Sequence, residues 1–447
     1  MEHLVIIGNG ISGVTTARHV RKRSDMRITI ISAETDHFFS RTALMYIYMG
    51  HMKYEHTKPY EDWFWEKNRI DLIRGFVTGI DTDRRIVTLE NGDAIEYDKL
   101  VISTGSKSNK FGWPGQDLPG VQGLYSIQDV ELLEKNSENA KRAVIVGGGL
   151  IGIELAEMLV SRGISVTFLV REERYWSNIL PKEESELVGR HIIEHGLDLR
   201  LNVSLKEILA GPDGRVRSVV IAETGEEIPC QIVGLTPGVS PNIDMVKQTK
   251  IATGRGVLVN DYLETNIPNV YACGDCAEIV VEGEGRNRVE QLWYTGKMHG
   301  LALSKTICGE RTKYERGIWF NSAKFIDIEY QTYGFVNNKP RDGEINFYWE
   351  SPENRTCFRM VFRETDRSIV GVNFFGIRSR HSIWENWIRE NRTAEFAIEN
   401  LKSANFDPEF YTKYEPEIRS AFYRQFPPRT PQSNKSGVLA ALVAKLF

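Results

Sequence analysis

Apolar and polar positions fall along this chain in blocks. Leu4–Ile7 is a short unbroken apolar run, which predicts a strand buried on both faces of a parallel sheet. It runs into Gly8-x-Gly10-x-x-Gly13 and then into the helical stretch Val14–Val20. Arg27–Ile31 predicts a second parallel strand, and Tyr97–Ile102 another that ends in the small-residue turn Ser103-Thr104-Gly105. Between them, Ile70–Asp81 and Arg85–Glu96 predict short strands, the latter a hairpin turning at Asn91-Gly92. The opening order then returns. After a Gly/Pro/Asn-rich crossover, Ser106–Gly123, come the strand Lys141–Val146, Gly147-Gly-Gly149-Leu-Ile-Gly152, an apolar helix and the strand Ser165–Val170. Leu197–Val203 and Val216–Glu223 predict strand and hairpin, and Ile232–Asn242 closes this second block. Val270-Tyr-Ala-Cys273-Gly274-Asp275 predicts a strand ending in a Gly-Asp turn, with a helix from Glu290 through Trp293 to Cys308. Beyond residue 310 aromatics become dense. Strands Glu344–Trp349, Phe358–Phe362 and Ser368–Phe375, followed by helices around His381–Asn400, predict a separate α+β domain.

Strand, glycine turn and helix make a dinucleotide-binding entry. The first glycine permits the tight turn, the second lets backbone approach a pyrophosphate, and the third allows close helix–strand packing beside a helix N-terminus that attracts phosphate. One such pattern is weak; two in register are not accidental. Glu34 lies 21 residues after Gly13, where a carboxylate can bind both hydroxyls of an adenosine ribose; its plainer reading is a solvated strand-end acid. Aligning Ile28 with Val166 places Glu172 opposite Glu34, 20 residues past Gly152. Glu172 favours a free 2′-hydroxyl, whereas Arg171 and Arg174 beside it suit a 2′-phosphate, so NADH and NADPH both stay open. Arg41, alone among apolar neighbours, calls for an anion such as a pyrophosphate. Two dinucleotide sites on one chain imply two cofactors that must meet, and hydride transfer between nicotinamide and flavin is the chemistry with that need. Asp275 is placed to accept hydrogen bonds from a ribityl chain, and the N-terminus of the helix beyond it, expected from Glu290, to stabilise negative charge at the flavin's pyrimidine end.

Composition narrows the setting. The chain has 447 residues, enough for two or three domains, and 41% hydrophobic with 26% charged residues is ordinary for a soluble protein. A net charge of −4 leaves no basic footprint for nucleic acid. Five scattered cysteines fit a reducing interior better than a disulfide framework. No signal peptide and no transmembrane segment is expected, which points to a cytoplasmic protein. Cys273-Gly-Asp-Cys276 has the spacing of a redox pair, yet it overlaps the Gly-Asp turn, where two small buried residues are the alternative and a metal site a third.

The two glycine fingerprints, the Ser-Thr104-Gly105 turn between them and Val-Tyr-Ala-Cys-Gly274-Asp275 after them resemble the two-dinucleotide-fold flavoproteins that include the pyridine nucleotide-disulfide oxidoreductases. Resemblance covers roughly residues 1–310. Ile28–Leu44, with Phe39-Ser-Arg41, is most similar to ferredoxin reductases, rubredoxin reductases and apoptosis-inducing factor, and Trp319-Phe-Asn-Ser322 resembles the start of their C-terminal domain. The resemblance implies FAD in the first unit, with Gly8, Gly10 and Gly13 at its pyrophosphate, Glu34 at the ribose, Arg41 near the phosphates and Val77 at the adenine. Thr104 and Gly105 would line the site, with Gly274, Asp275 and Trp293 towards the ribityl chain and ring. It implies NAD(P)H in the second unit, with Gly147, Gly149 and Gly152 at its pyrophosphate and Glu154 beside the nicotinamide. Two departures matter. No cysteine precedes Cys230, which disfavours disulfide reduction, and Tyr46 stands where relatives usually place a lysine near the flavin.

The expected fold is α/β: two Rossmann-like dinucleotide-binding domains, the second inserted in the first, plus a C-terminal α+β domain. Boundaries are expected at 1–110 with 250–312 for FAD, 111–249 for NAD(P)H and 313–428 for the α+β domain, with a linker and tail over 429–447. In that tail Val438, Leu439, Leu442, Val443, Leu446 and Phe447 share one helical face, suited to its own domain, a homodimer partner, another protein or a membrane surface. The expected activity is an FAD-dependent NAD(P)H oxidoreductase passing electrons to a separate acceptor, such as an electron-carrier protein, with no side-chain acid or base in the hydride step. The alternative is a redox-sensing or scaffold flavoprotein with slow turnover.

Overall fold

A computed structural model describes residues 1–281, 283, 287–353, 355–407, 409–410 and 412–427. The expected tail over 429–447 lies outside the described residues. The chain divides into two compact units, the first running from Met1 to Ile328 and the second beginning at Glu329.

The first unit holds two five-stranded parallel sheets built alike. In one, the order is Val270–Ala272, Lys99–Ile102, His3–Ile7, Arg27–Ser32 and Ile70–Arg74. In the other it is Asp198–Leu201, Ser165–Val170, Arg142–Val146, Ile232–Leu235 and Val121–Gln122. Leu4, Val5 and Ile6 are fully buried, as are Ala143, Val144 and Ile145 in the second copy. Unbroken apolar strands are thus central strands covered on both faces; a buried Val, Ile or Leu contributes about 1.5–3 kcal/mol. Each sheet reverses direction of winding at its glycine strand: His3–Ile7 pairs Arg27–Ser32 on one side and Lys99–Ile102 on the other. Arg142–Val146 likewise lies between Ser165–Val170 and Ile232–Leu235. Ligands of such sheets bind at the carboxyl ends of strands at this reversal.

Each copy also carries a three-stranded antiparallel sheet, Val77–Asp81 with Ile86–Leu89 and Ala94–Glu96, and Leu205–Ala210 with Val216–Ile221 and Glu227–Pro229. The stretch expected as strand over 70–81 is therefore two strands in two sheets, parted at Gly75-Phe76. The helix expected from Glu290 starts at Trp293 and ends at Ile307. The first unit also takes in Phe320–Phe325, beyond the expected boundary at 312. That strand is tied to the helix Leu150–Ser161 by Lys324 and Glu157 at 2.7 Å, and Phe325 packs beside Trp176.

In the second unit, Ile328–Gly334, Ile369–Phe375, Cys357–Arg363 and Glu344–Glu350 form an antiparallel sheet in that order. Helices His381–Arg389, Ala394–Ala404 and Glu415–Gln425 accompany it. Its aromatics are the core: Phe347 packs edge-on to Phe422, and fully buried Trp384 donates its indole N–H to Ser379 Oγ at 2.6 Å.

Candidate functional site

The glycines of the first turn divide their work as the spacing predicts. Gly8 has φ +109°, and a Cβ there would sit 2.2 Å from the carbonyl oxygen of Ser103. A Cβ on Gly13 would sit 2.3 Å from the carbonyl oxygen of Gly8, so the helix packs directly on the turn. Gly10 differs: a Cβ there meets nothing within 4 Å. Gly10 is also the N-cap of Ile11–Arg21 and offers no side-chain cap, which leaves the first-turn N–H groups for an anion. The second copy repeats this. Gly147 has φ +123° and its Cβ would lie 2.6 Å from Thr236 O; Gly152 is tight against Gly147 O, while Gly149 is open except for Trp176 at 3.9 Å. Gly149 caps Leu150–Ser161, again without a side-chain cap.

A cavity of about 550 Å³ opens on the first turn. Of the expected residues, Gly8, Gly10, Glu34, Arg41, Val77, Thr104, Gly105, Glu154, Gly274, Asp275 and Trp293 line it. Gly13 lies behind the turn. Gly147, Gly149, Gly152 and Glu172 are grouped at the second turn, outside this cavity.

Glu34 and Arg41 meet each other. The guanidinium donates two hydrogen bonds to the carboxylate, at 2.8 and 2.5 Å, and a third to the carbonyl of Tyr125. Burial opposes the charge on Arg41, and Glu34 outweighs it, so the guanidinium is held more firmly protonated than usual. Glu34 also accepts from the backbone N–H of Ile127, at the start of the helix Ile127–Ser137. The acid at the strand end is thus neither solvated nor separate from the arginine. In the second copy Glu172 pairs with the exposed Arg171 at 3.1 Å, and Arg174 with Glu173 at 2.7 Å.

Asp275 forms the polar floor of the cavity. Its carboxylate accepts from Ser106 Oγ at 3.0 Å and from the Tyr125 phenol at 3.3 Å, and burial raises its pKa despite these bonds and nearby Arg41. Gln291 donates to Ser106 Oγ at 2.8 Å, and the Tyr125 oxygen accepts from Ser106 N–H. Beneath the turn, Gly274 N–H donates to Nδ1 of the buried His299, whose Nε2 lies 3.6 Å from Glu290. Tyr314 donates to Glu290 at 2.6 Å; hydrogen bonds from His299 and Tyr314, with Arg316 nearby, outweigh burial and hold this carboxyl below its ordinary pKa. Ser103, Ser106, Tyr125, Gln291 and the His299–Glu290–Tyr314 set were not singled out from sequence. Ser103 alone carried a signal, as the residue between strand and the Thr104-Gly105 turn.

Cys273 and Cys276 are separate, fully buried thiols. Cys276 Sγ points to the carbonyls of Ile102 and Cys273, and burial raises the pKa of both cysteines, which favours the thiol over the thiolate.

Glu154 belongs to the helix of the second glycine turn yet lines the cavity of the first turn, together with Ile151. Burial, with Glu157 adding to it, raises its carboxyl to about 7. The features that suit FAD are therefore present: an uncapped helix end at an open glycine, a buried polar floor, and a wall shared with the helix of the second glycine turn.

Two sheets that each reverse at a Gly-x-Gly-x-x-Gly strand define a double dinucleotide-binding oxidoreductase. Residues 2–300 match the family "Pyridine nucleotide-disulphide oxidoreductase", and the chain belongs to it. The chain is 30% identical to the NADH-rubredoxin oxidoreductase of Clostridium acetobutylicum over 75% of its length and 83% of that protein's. A crystal structure of NADH:rubredoxin oxidoreductase from that organism superposes with a TM-score of 0.69 at 25% identity, covering 89% of this chain and 99% of the other. Nitrite reductase [NAD(P)H] of Bacillus subtilis is 28% identical over 84% of this chain and 46% of its own, so the chain spans about half of that relative's length. No helix among the described residues is long and apolar enough to cross a membrane.

Proposed function

We propose that this chain carries electrons from NAD(P)H through FAD to a separate electron-carrier protein of the ferredoxin or rubredoxin kind. The observation that carries this reading is Glu154 and Ile151, of the helix Leu150–Ser161 at the second glycine turn, lining the cavity of the first turn, so that the two dinucleotide sites share a wall. When bound, FAD supplies the two-electron chemistry that links a nicotinamide hydride donor to the acceptor. Gly8, Gly10 and Gly13 hold its pyrophosphate, Glu34 its ribose, Arg41 its phosphates and Val77 its adenine. Thr104, Gly105, Gly274, Asp275 and Trp293 serve the ribityl and ring end. Gly147, Gly149 and Gly152 hold the nicotinamide dinucleotide's pyrophosphate, Glu172 its ribose, and Glu154 borders its nicotinamide. Catalysis then rests on holding two rings in register within a dry site. The relatives named for rubredoxin support the carrier-protein acceptor, and five cysteines with no disulfide among them support a reducing cytoplasmic setting. A homodimer is part of the same proposal.

Stopped-flow reduction of the yellow protein by NADH and by NADPH, followed by steady-state turnover with purified rubredoxin, ferredoxin and ferricyanide, tests it. Fast flavin reduction with saturable carrier-protein turnover is expected. Slow reduction that leaves a long-lived complex with oxidised nicotinamide, and no turnover with any carrier, would sink it in favour of a sensor or scaffold.

A further inference from the structure

Away from the cavity, the helix Lys182–Glu194 ends in a pair of histidines one turn apart. His191 lies in its last turn, and His195 is its C-cap residue. Asp327, on the turn that follows the strand Phe320–Phe325, approaches both: its Oδ1 is 2.5 Å from His191 Nε2 and 3.7 Å from His195 Nε2. The two imidazoles stand 4.2 Å apart, inclined at 62°. One nitrogen from each ring and one carboxylate oxygen lie within 4.8 Å of one another.

We propose that His191, His195 and Asp327 form a binding site for a divalent transition metal ion, with Zn(II) the best chemical match. Two imidazoles and one carboxylate are a ligand set that zinc accepts with a water in the fourth position, and bonds of about 2.0–2.2 Å place tetrahedral ligand atoms about 3.3 Å apart. The observed 2.5 and 3.7 Å fall on either side of that spacing, so entry of the ion needs shifts of about 1 Å in two side chains. His195 is already oriented. Its Nδ1 sits 2.9 Å from the carbonyl oxygen of His191, so Nδ1 carries the proton as donor and Nε2 keeps its lone pair for a metal. The helix C-terminus adds its negative dipole end, which favours a cation. Asp327 is more than half exposed and His195 about a third, which leaves a path for the ion and room for water. Bound there, the ion staples the helix Lys182–Glu194 to the turn at 326–327. The remaining alternative is a plain hydrogen bond between His191 and Asp327.

Calorimetric titration of tag-free, EDTA-treated, flavin-loaded protein with ZnCl2 at about pH 7.5 tests the site. His191 is buried, so the deciding variants are H195A and D327N, whose positions tolerate change; unaltered flavin absorbance and far-UV dichroism establish that they fold. One equivalent of Zn(II) bound by the parent, with affinity weakened tenfold or more in each variant, is the expected result. Zn(II) should raise the melting temperature of the parent and not of the variants. No binding by the parent, or equal binding by parent and both variants, overturns the proposal and leaves the cluster as a hydrogen-bonded His–Asp pair. None of these readouts depends on turnover, so the site stands or falls apart from the function proposed above.

Discussion

The two glycine turns of this protein share a backbone and differ in what surrounds it. Gly8 and Gly147 take the same positive φ, each pressed on the carbonyl of the residue just past the neighbouring strand, Ser103 in one copy and Thr236 in the other. The hydroxyls match too: Ser103 Oγ donates to Ile7 O and Thr236 Oγ1 to Val146 O. Beyond that frame they part. Over the first turn, distant segments converge: Gly75–Val77, Ser103–Ser106, Leu124–Ser126, Gly274-Asp275 and Gln291–Trp293 all line the cavity. Its acid, Glu34, is locked to Arg41. At the second turn, Glu172 pairs with an exposed arginine, and Trp176, itself at φ +56°, stands near Gly149. On the function proposed above, one motif serves an enclosed resident cofactor in the first copy and an open, exchangeable one in the second, and the enclosure comes from segments outside the motif.

The comparison can be broken most sharply at the crowded glycines. G8A places a methyl group against a backbone carbonyl in a disfavoured φ, a strain of at least about 3 kcal/mol, and should cut flavin content more than tenfold. G147A carries the same strain but should purify with flavin and fail to be reduced by NADH. Absorbance at the flavin band and stopped-flow reduction separate the two, and equal flavin loss in both variants would refute the division of labour. By contrast G10A meets no atoms, so it should leave the melting temperature nearly unchanged while weakening flavin retention.

Next comes Glu154, whose folded pKa of about 7 lies above its ordinary value of 4.5. A carboxyl raised in this way favours the folded state while it is protonated. Its contribution is therefore complete below about pH 4.5 and is lost as pH rises through about 7, on the order of 3 kcal/mol. E154Q keeps the neutral form throughout. Its melting temperature relative to the parent should climb between about pH 4.5 and 7 and level off above; a flat difference would show that the shared wall is wetter than the structure indicates.

The smaller contrast lies in the two acids. E34Q strips a half-buried guanidinium of its bidentate partner and should cost about 1–2 kcal/mol by urea unfolding. E172Q breaks a largely exposed pair and should stay within about 0.5 kcal/mol, with any change confined to the preference between NADH and NADPH. Under the first turn alone, Glu290 adds an acid-side signature. Its folded pKa is below the ordinary value, so its stabilisation is present above about pH 4.5 and is lost as pH falls through the folded pKa. E290Q should flatten that acid limb of the melting-temperature profile.

By itself the sequence determined the repeated strand–turn–helix unit, the constrained glycines of its two turns and the double dinucleotide fold, because apolar runs and glycine spacing act through local sterics and burial that a short window contains. It also indicated Asp275, Arg41 and Glu34 as candidate site residues, and the family resemblance added Glu154. Only the tertiary structure decided that Glu34 and Arg41 bind each other, that Tyr125 and Ser106 close over Asp275, and that the second helix turns Glu154 towards the first site. Those hydrogen bonds join residues 7 to 169 positions apart, and Glu154 reaches the first site through shared burial. No local pattern encodes such a meeting. It is fixed when the two sheets pack and the groups left buried must find partners.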